Sequence, residues 1–225
     1  MRFILFLFLV FLATISNAQL AVQINFLQPT ANPNSDTIYF NPTKKLVWEN
    51  FKGAPMQKGR AIAETSSGFG FNAGLKTRNG KGSLSINVIC YFDKSRSWVK
   101  PGKESMYALQ HEQNHFNVSY IATSNFVKKL RQVKFTTQNY NTLLNQIYTQ
   151  SMNELQTMQN EYDGQTQNGI KQAQQAIWNK KIEGRPSPLS CKIFMTREQK
   201  HGNKKTDPVE PIQASFSLRK LVFLI

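Results

Sequence analysis

A His-Glu-x-x-His motif, formed by His111, Glu112 and His115, is the clearest chemical feature of the sequence. An α-helix turns about 100° per residue, so two histidines four residues apart project from one face, one turn apart. Both imidazoles can then bind one Zn²⁺ at about 2.0–2.1 Å. The spacing therefore predicts two ligands of a zinc site, His111 and His115.

Glu112 lies beside the first histidine but is rotated around the helix from both. This offset keeps its carboxylate out of the ligand set and directs it to a zinc-bound water, from which it can accept a proton as the water attacks a carbonyl. We therefore predict that Glu112 is the catalytic base. The alternative is that His111 and His115 are two solvated helix histidines with ordinary hydrogen bonds.

Three helices are predicted to position these residues. The first covers 104–132, which contains no Gly or Pro and ends in basic residues that suit the negative end of a helix dipole. The second covers 141–162, where apolar residues recur at spacings of three and four until Asp163-Gly164. The third covers 168–184. Its expected buried residues are Ile170, Ala173, Ile177 and Trp178.

Residues 20–100 have the pattern of β-structure. Asn79-Gly80 is a hairpin signal, and apolar residues alternate with polar ones from Leu84 to Phe92. The sequence therefore predicts an α+β fold of the zincin-like kind, with a small antiparallel sheet followed by the HExxH active-site helix and two further helices. The strand at 83–92 is expected to offer an edge to which an extended substrate adds.

The N-terminus has the organisation of a secretory signal peptide. Arg2 precedes an apolar run from Phe3 to Ala13, and Ser16 and Ala18 occupy positions −3 and −1 of a cleavage site. A membrane-spanning helix needs about 20 consecutive apolar residues, and no later stretch of the sequence has them. We expect export to the periplasm or the cell exterior, with no membrane span after signal cleavage.

These features divide the chain into a signal peptide (1–18), a zincin-like metallopeptidase domain (19–184) and a basic, loosely ordered tail (185–225). The two cysteines, Cys90 and Cys191, could pair in an oxidising compartment. However, Cys90 lies on an apolar strand face and Cys191 in the polar tail, which is a poor geometric match.

The sequence carries 28 Lys and Arg against 13 Asp and Glu, a formal net charge of +15. Such an excess favours contact with anionic polymers of the cell envelope. No run of Lys or Arg exceeds two residues, and no nucleic-acid motif or Gly-rich phosphate loop is present. Specific nucleic-acid binding is therefore not expected.

Five segments, in order and spacing, resemble an uncharacterised bacterial family of predicted secreted zinc-dependent proteases over most of 45–183. They are LVWENFKG at 46–53, SSGFGF at 66–71, SWV around Trp98, LQHEQNHF at 109–116, and a late box with Tyr162, Asp163, Thr166, Gly169, Gln175 and Trp178. The family's late box reads Tyr-Asp-x-x-Thr-x-His-Gly. Asn168 stands where the family has its histidine.

The resemblance implies a third zinc ligand in the late box, because a catalytic zinc normally has three protein ligands and a water. With Asn168 in place of the histidine, Asp163 is the best candidate, since a carboxylate is a stronger Zn²⁺ ligand than a neutral amide. Asn168 is the alternative, and Glu154 and Glu161 are further options. On local sequence alone, Asp163 beside Gly164 is a turn residue at a helix end.

The sequence thus predicts a secreted or periplasmic metallopeptidase with Zn²⁺ as its cofactor and a peptide or protein as its substrate. His111, His115 and Asp163 are the predicted metal ligands. Glu112 is the predicted catalytic residue. The alternative is a non-catalytic descendant of the same family that acts as an exported binding protein, which the replacement of the family's histidine by Asn168 favours.

Overall fold

The structure, a computed structural model, describes residues 20–30, 32, 34–78, 81–184 and 210–212. It has the predicted α+β composition, with three helices packed against a small sheet. The strands are β1 (Ala21–Phe26), β2 (Thr37–Tyr39), β3 (Ala63–Glu64), β4 (Ser67–Arg78), β5 (Lys81–Asp93), β6 (Trp98–Val99) and β7 (Glu210–Ile212). The helices are α1 (Met106–Gln132), α2 (Tyr140–Thr166), α3 (Gln172–Glu183) and a 3₁₀ turn at Trp48–Asn50. The predicted signal peptide, 1–18, lies outside the described residues, as does 185–225 apart from β7.

The predicted half-buried strand is confirmed as β5. Its inward side chains are at most 1 % exposed, and the residues between them are partly exposed. These buried residues are Leu84, Ile86, Val88, Cys90 and Phe92. β4 and β5 form the predicted antiparallel hairpin, and the register ends at Arg78↔Lys81. The turn at 79–80 lies outside the described residues, as does Cys191, while Cys90 has a free thiol.

The sheet is mixed, so the prediction of an antiparallel sheet is wrong for one strand. β1 runs parallel to β5, from Ala21↔Ser83 to Phe26↔Val88. Two parallel strands need a long connection, and the chain between β1 and β4 provides it. The alternation of apolar residues, on which the prediction is based, does not indicate the direction of a strand. β2 continues the same edge of β5, and β4 covers the other edge. The expectation that the 83–92 strand offers a free edge to a substrate is therefore wrong.

Helix α1 contacts the sheet on strands β4 and β5 and also contacts the other two helices. It begins at Met106, where the Ser105 hydroxyl accepts a hydrogen bond from the Ala108 N–H at 3.1 Å. Phe126 and its apolar neighbours pack in the core that α1 shares with β4 and β5. Every residue from 111 to 116 is buried, although most are polar. Burial of polar side chains is unfavourable unless hydrogen bonds or opposite charges inside the protein compensate for the lost water.

Helix α2 extends past its predicted end and includes Asp163-Gly164 in its last turn. A glycine there costs about 1 kcal/mol relative to alanine, but tertiary packing overrides this local preference. Thr166 is fully buried, and its hydroxyl donates to the Tyr162 carbonyl at 2.7 Å. Asp163 is therefore a helical residue rather than the turn residue that the local sequence predicts.

The chain between α2 and α3 has three successive residues with positive φ, which delays α3 to Gln172 instead of 168. These residues are Gln167 (48°), Asn168 (55°) and Gly169 (82°). The predicted buried face of α3 is right for Trp178 only. Ile170 and Ile177 are 77 % and 56 % exposed, and Ala173 is exposed as well. The face that packs inward instead consists of Gln175, Trp178 and Ile182.

Strands β3 and β6 form a separate two-stranded sheet. The Thr65 hydroxyl, just beyond β3, donates to the Glu112 carbonyl at 3.3 Å and so ties this sheet to α1. Trp98 of β6 donates from its indole to Glu64 at 3.0 Å. Among the described residues, no helix has the length and apolar character needed to cross a bilayer.

Candidate metal centre

Helix α1 carries His111 and His115 one turn apart on its buried side. Their exposed fractions are 4 % and 3 %. The two rings are nearly perpendicular, and their Nε2 atoms are 3.2 Å apart. The i, i+4 spacing therefore brings the two nitrogens to one point, as expected for residues on the same helical face.

Asp163 of α2 joins the two histidines. Its Oδ1 lies 3.3 Å from His111 Nε2 and 3.1 Å from His115 Nε2. Its side chain is 13 % exposed, more than either imidazole, but the oxygen that faces them is buried. Among the described residues, these three side chains form the one group with the donor set and spacing to hold a metal ion.

The three donor atoms fit a zinc ion. A tetrahedral site with bonds of about 2.0–2.1 Å separates its ligand atoms by about 3.3 Å, close to the observed spacings. Within the described part of the chain, Asp163 Oδ1 receives no hydrogen bond from outside the two imidazoles. A buried carboxylate oxygen without such partners is unfavourable unless a cation or proton lies between it and the histidines.

The other predicted ligands lie elsewhere. Asn168 is exposed, and its backbone N–H donates to the Asp163 carbonyl at 2.9 Å, so it terminates α2. Glu154 forms an ion pair with Lys129. Glu161 is exposed on α2. Among these candidates, the structure places only Asp163 with the histidines.

Each histidine also contacts one buried glutamine. The contact is made through Nδ1, the ring nitrogen that faces away from Asp163. Gln175 Oε1 lies 2.8 Å from His111 Nδ1, and Gln159 Oε1 lies 2.7 Å from His115 Nδ1. The sequence motifs predict no such contact for either residue. Each residue nevertheless carries a signal in the sequence, because Gln159 lies four residues before Asp163 on the buried face of α2 and Gln175 belongs to the late box of the resemblance.

Tyr162 packs against both imidazoles. Its ring stacks on His111 with centroids 4.7 Å apart and meets His115 edge-on at 5.0 Å. Its hydroxyl accepts from Gln175 Nε2 at 2.6 Å and donates to the His111 carbonyl at 3.3 Å. Burial, together with the charges of Glu112 and Asp163, raises the pKa of Tyr162 above its ordinary value. Tyr162 therefore forms one side of the centre, and its hydroxyl hydrogen is already donated to the His111 carbonyl.

Glu112, the predicted catalytic base, is 3 % exposed. Among the described residues, its Oε2 has no hydrogen-bond partner. Its main chain is held by the Thr65 hydroxyl. A buried carboxylate oxygen with a free acceptor position, next to two histidines in sequence and space, is suited to receive a proton.

The electrostatics of the cluster couple His115 to Asp163. Burial lowers the pKa of His115, but the charge and hydrogen bond of Asp163 and the charge of Glu112 outweigh it and raise this pKa to about 9. Burial raises the pKa of Asp163, but the two histidines outweigh it and hold this pKa well below its ordinary value. A bound cation would therefore replace a proton between the two side chains.

Comparisons of the chain with protein-family models, with curated proteins and with solved structures found no match. The geometry and charges of the His111, His115 and Asp163 cluster are therefore the basis for assigning a chemistry to the site. The similarity to secreted zinc-dependent proteases stays a prediction from the sequence motifs.

Proposed function

We propose that the protein is an exported zinc-dependent metallopeptidase. His111, His115 and Asp163 hold Zn²⁺, and Glu112 is the catalytic base. One observation carries the proposal: three donor atoms lie 3.1–3.3 Å apart, and the residue after the first histidine presents a buried carboxylate oxygen with a free acceptor position.

When bound, zinc would polarise the scissile carbonyl and lower the pKa of a water molecule to about 7. Glu112 takes the proton of the attacking water. The same carboxyl group then delivers this proton to the amine nitrogen as the carbon–nitrogen bond breaks. Glu112 is thereby returned to its ionised form, so one residue performs both proton transfers.

The substrate in this proposal is a peptide or protein outside the cytoplasm, because residues 1–18 have the signal-peptide pattern. The net charge of +15 favours acidic substrates and contact with anionic polymers of the envelope. These contacts would weaken as salt screens the charges.

The alternative function is that of a non-catalytic exported binding protein. Its motivation is that Asn168 replaces the histidine of the family's late box. In the structure, Asn168 terminates a helix and is exposed, while Asp163 lies with the histidines. The replacement therefore removes no member of the observed cluster, and we favour the peptidase.

Metal analysis and a peptidase assay on Glu112→Gln test the proposal, with Glu161→Gln as the control because Glu161 is exposed on α2. We expect one zinc per chain in the parent protein, in Glu112→Gln and in Glu161→Gln. Glu112→Gln should lose at least about a hundredfold in rate, because an amide cannot accept the proton.

Three outcomes would contradict the proposal. Equal rates for the parent and Glu112→Gln would exclude Glu112 as the base. Zinc without peptidase activity in the parent would support the binding protein instead. Two histidines and one carboxylate also bind Fe(II) in proteins, so iron as the resident metal would indicate a different chemistry.

A further inference from the structure

We propose that Gln159 and Gln175 are the positioning residues of the metal centre. Each carboxamide oxygen accepts the Nδ1–H of one histidine and so turns the lone pair of the opposite nitrogen, Nε2, toward Asp163. The inference rests on the proposed metal centre and adds the groups that orient its ligands. Both glutamines are at most 1 % exposed, so water does not compete for these contacts.

The orientation of Gln159 is determined by a backbone atom. Its Nε2 lies 3.0 Å from the His115 carbonyl oxygen, which can only accept a hydrogen bond. The other end of the amide, Oε1, must therefore face His115 Nδ1, where the distance is 2.7 Å. Since Oε1 can only accept, Nδ1 carries the hydrogen, and Nε2 is left as the ligand atom.

Gln175 is oriented by two side chains. Its Nε2 donates to the Tyr162 hydroxyl at 2.6 Å and to Asn179 Oδ1 at 2.9 Å. Asn179 Oδ1 also accepts from Asn114 Nδ2 at 2.6 Å, so the network continues back to α1. Oε1 of Gln175 is thereby directed to His111 Nδ1, which fixes the same tautomer in the second histidine.

The two positions differ in what could replace the amide. At Gln159 the second partner is a carbonyl, so a glutamate would bring two acceptors together and lose the contact. At Gln175 one partner, the Tyr162 hydroxyl, can rotate and donate to a carboxylate, whereas the other, Asn179 Oδ1, only accepts, so a glutamate keeps one of the two contacts. A carboxylate–histidine–metal arrangement also makes the imidazole a stronger ligand, which offsets the lost contact. We therefore infer that position 159 requires an amide, whereas position 175 requires only an acceptor.

Zinc affinity, measured by competition with a chromophoric chelator, tests this inference in the Leu and Glu variants of both glutamines. Gln146→Leu is the control, because Gln146 is exposed on α2. We expect Gln159→Leu, Gln159→Glu and Gln175→Leu to bind zinc about tenfold to a hundredfold more weakly. Gln175→Glu should stay within about threefold of the parent, as should the control.

A second measurement separates orientation from a general effect on folding. Long-range ¹H–¹⁵N spectra of the zinc-loaded parent should show both histidines protonated at Nδ1, and this pattern should change for His111 in Gln175→Leu. If the leucine variants fail to fold, the contrast between Gln159→Glu and Gln175→Glu decides, because both keep the side-chain shape.

Unchanged zinc affinity in the folded leucine variants, or equal affinities of the two glutamate variants, would overturn the inference and leave the metal centre intact. A histidine of the zinc-loaded parent protonated at Nε2 would also overturn it. Failure of the parent to bind zinc would overturn the inference and the proposed function together.

Discussion

Asp163 of α2 faces His115 of α1, with its Oδ1 3.1 Å from the imidazole Nε2. Each of these residues has a partner four positions earlier on its own helix, His111 on α1 and Gln159 on α2. Two i, i+4 pairs on facing helices therefore build most of the centre. The proposed third ligand, Asp163, therefore comes from a helix face and not from the turn that follows α2.

Replacing Asp163 by alanine should remove zinc binding, whereas Asn168→His should leave it nearly unchanged. If Asn168 held the third ligand position, a histidine there would instead tighten binding at least about tenfold. We expect a loss of at least about a hundredfold for Asp163→Ala and a change within about threefold for Asn168→His, since histidine tolerates the left-handed conformation of this position. Calorimetric titration with zinc checks both values.

Glu161→Ala is the matched control for this pair, because Glu161 is an exposed acid on the same helix. Zinc binding that survives in Asp163→Ala and strengthens in Asn168→His would show that the third ligand belongs to the turn after α2.

Gly169→Ala is expected to disturb the centre through His111. Gly169 has φ of 82°, and a Cβ placed there would lie 3.3 Å from His111 Nδ1. The substitution should cost about 1–3 kcal/mol of unfolding free energy from backbone strain, and should weaken zinc binding by displacing the ring. Urea unfolding and zinc titration measure the two effects.

Gly164→Ala is the control for Gly169→Ala. A Cβ at Gly164 meets no atom within 4 Å, and the residue lies inside α2. Alanine there should raise the free energy of unfolding by about 0.5–1 kcal/mol and leave zinc affinity unchanged. Equal stabilities of the two alanine variants would argue against a tight approach of Gly169 to His111.

The thiol of Cys90 should be unreactive in the folded protein. Burial raises its pKa to about 12, an effect that a hydrogen bond with Thr123 reduces only in part. Because the thiolate is the reactive species, iodoacetamide at about pH 8 should label Cys90 only after unfolding in a Cys191→Ser background. Rapid labelling under native conditions would contradict the buried position.

The raised pKa of Cys90 also predicts a pH dependence of stability. In the unfolded chain the thiol ionises near its ordinary pKa of 9.0, whereas the folded thiol stays protonated up to about 12. The unfolded chain therefore binds fewer protons in this range, and the free energy of unfolding falls as pH rises above 9. Cys90→Ala should show a smaller fall, which urea titrations at several pH values would reveal.

The parts of the centre that the sequence predicted are those set by local spacing. His111 and His115 meet because a helix repeats every 3.6 residues, so residues four apart lie on one face. The five-residue motif His-Glu-x-x-His is enough to recognise this spacing. The half-buried face of β5 was predictable for the same reason, since alternation has a period of two.

The parts that the sequence did not predict depend on contacts between distant segments. Gln159 and Gln175 reach histidines 44 and 64 positions away, and neither the spacing along α2 nor the late box indicates which side chain a buried glutamine contacts. The parallel direction of β1 is decided by where a long connection returns. The helical state of Gly164 accompanies the burial of Thr166, two residues further along the same helix.

Anomalous diffraction at the zinc absorption edge, from crystals of the protein grown with zinc, tests the central claim most directly. We predict a single strong peak at about 2.0–2.2 Å from His111 Nε2, His115 Nε2 and Asp163 Oδ1. Zinc bound at any other set of side chains, or the absence of a peak between these three atoms, would contradict the account.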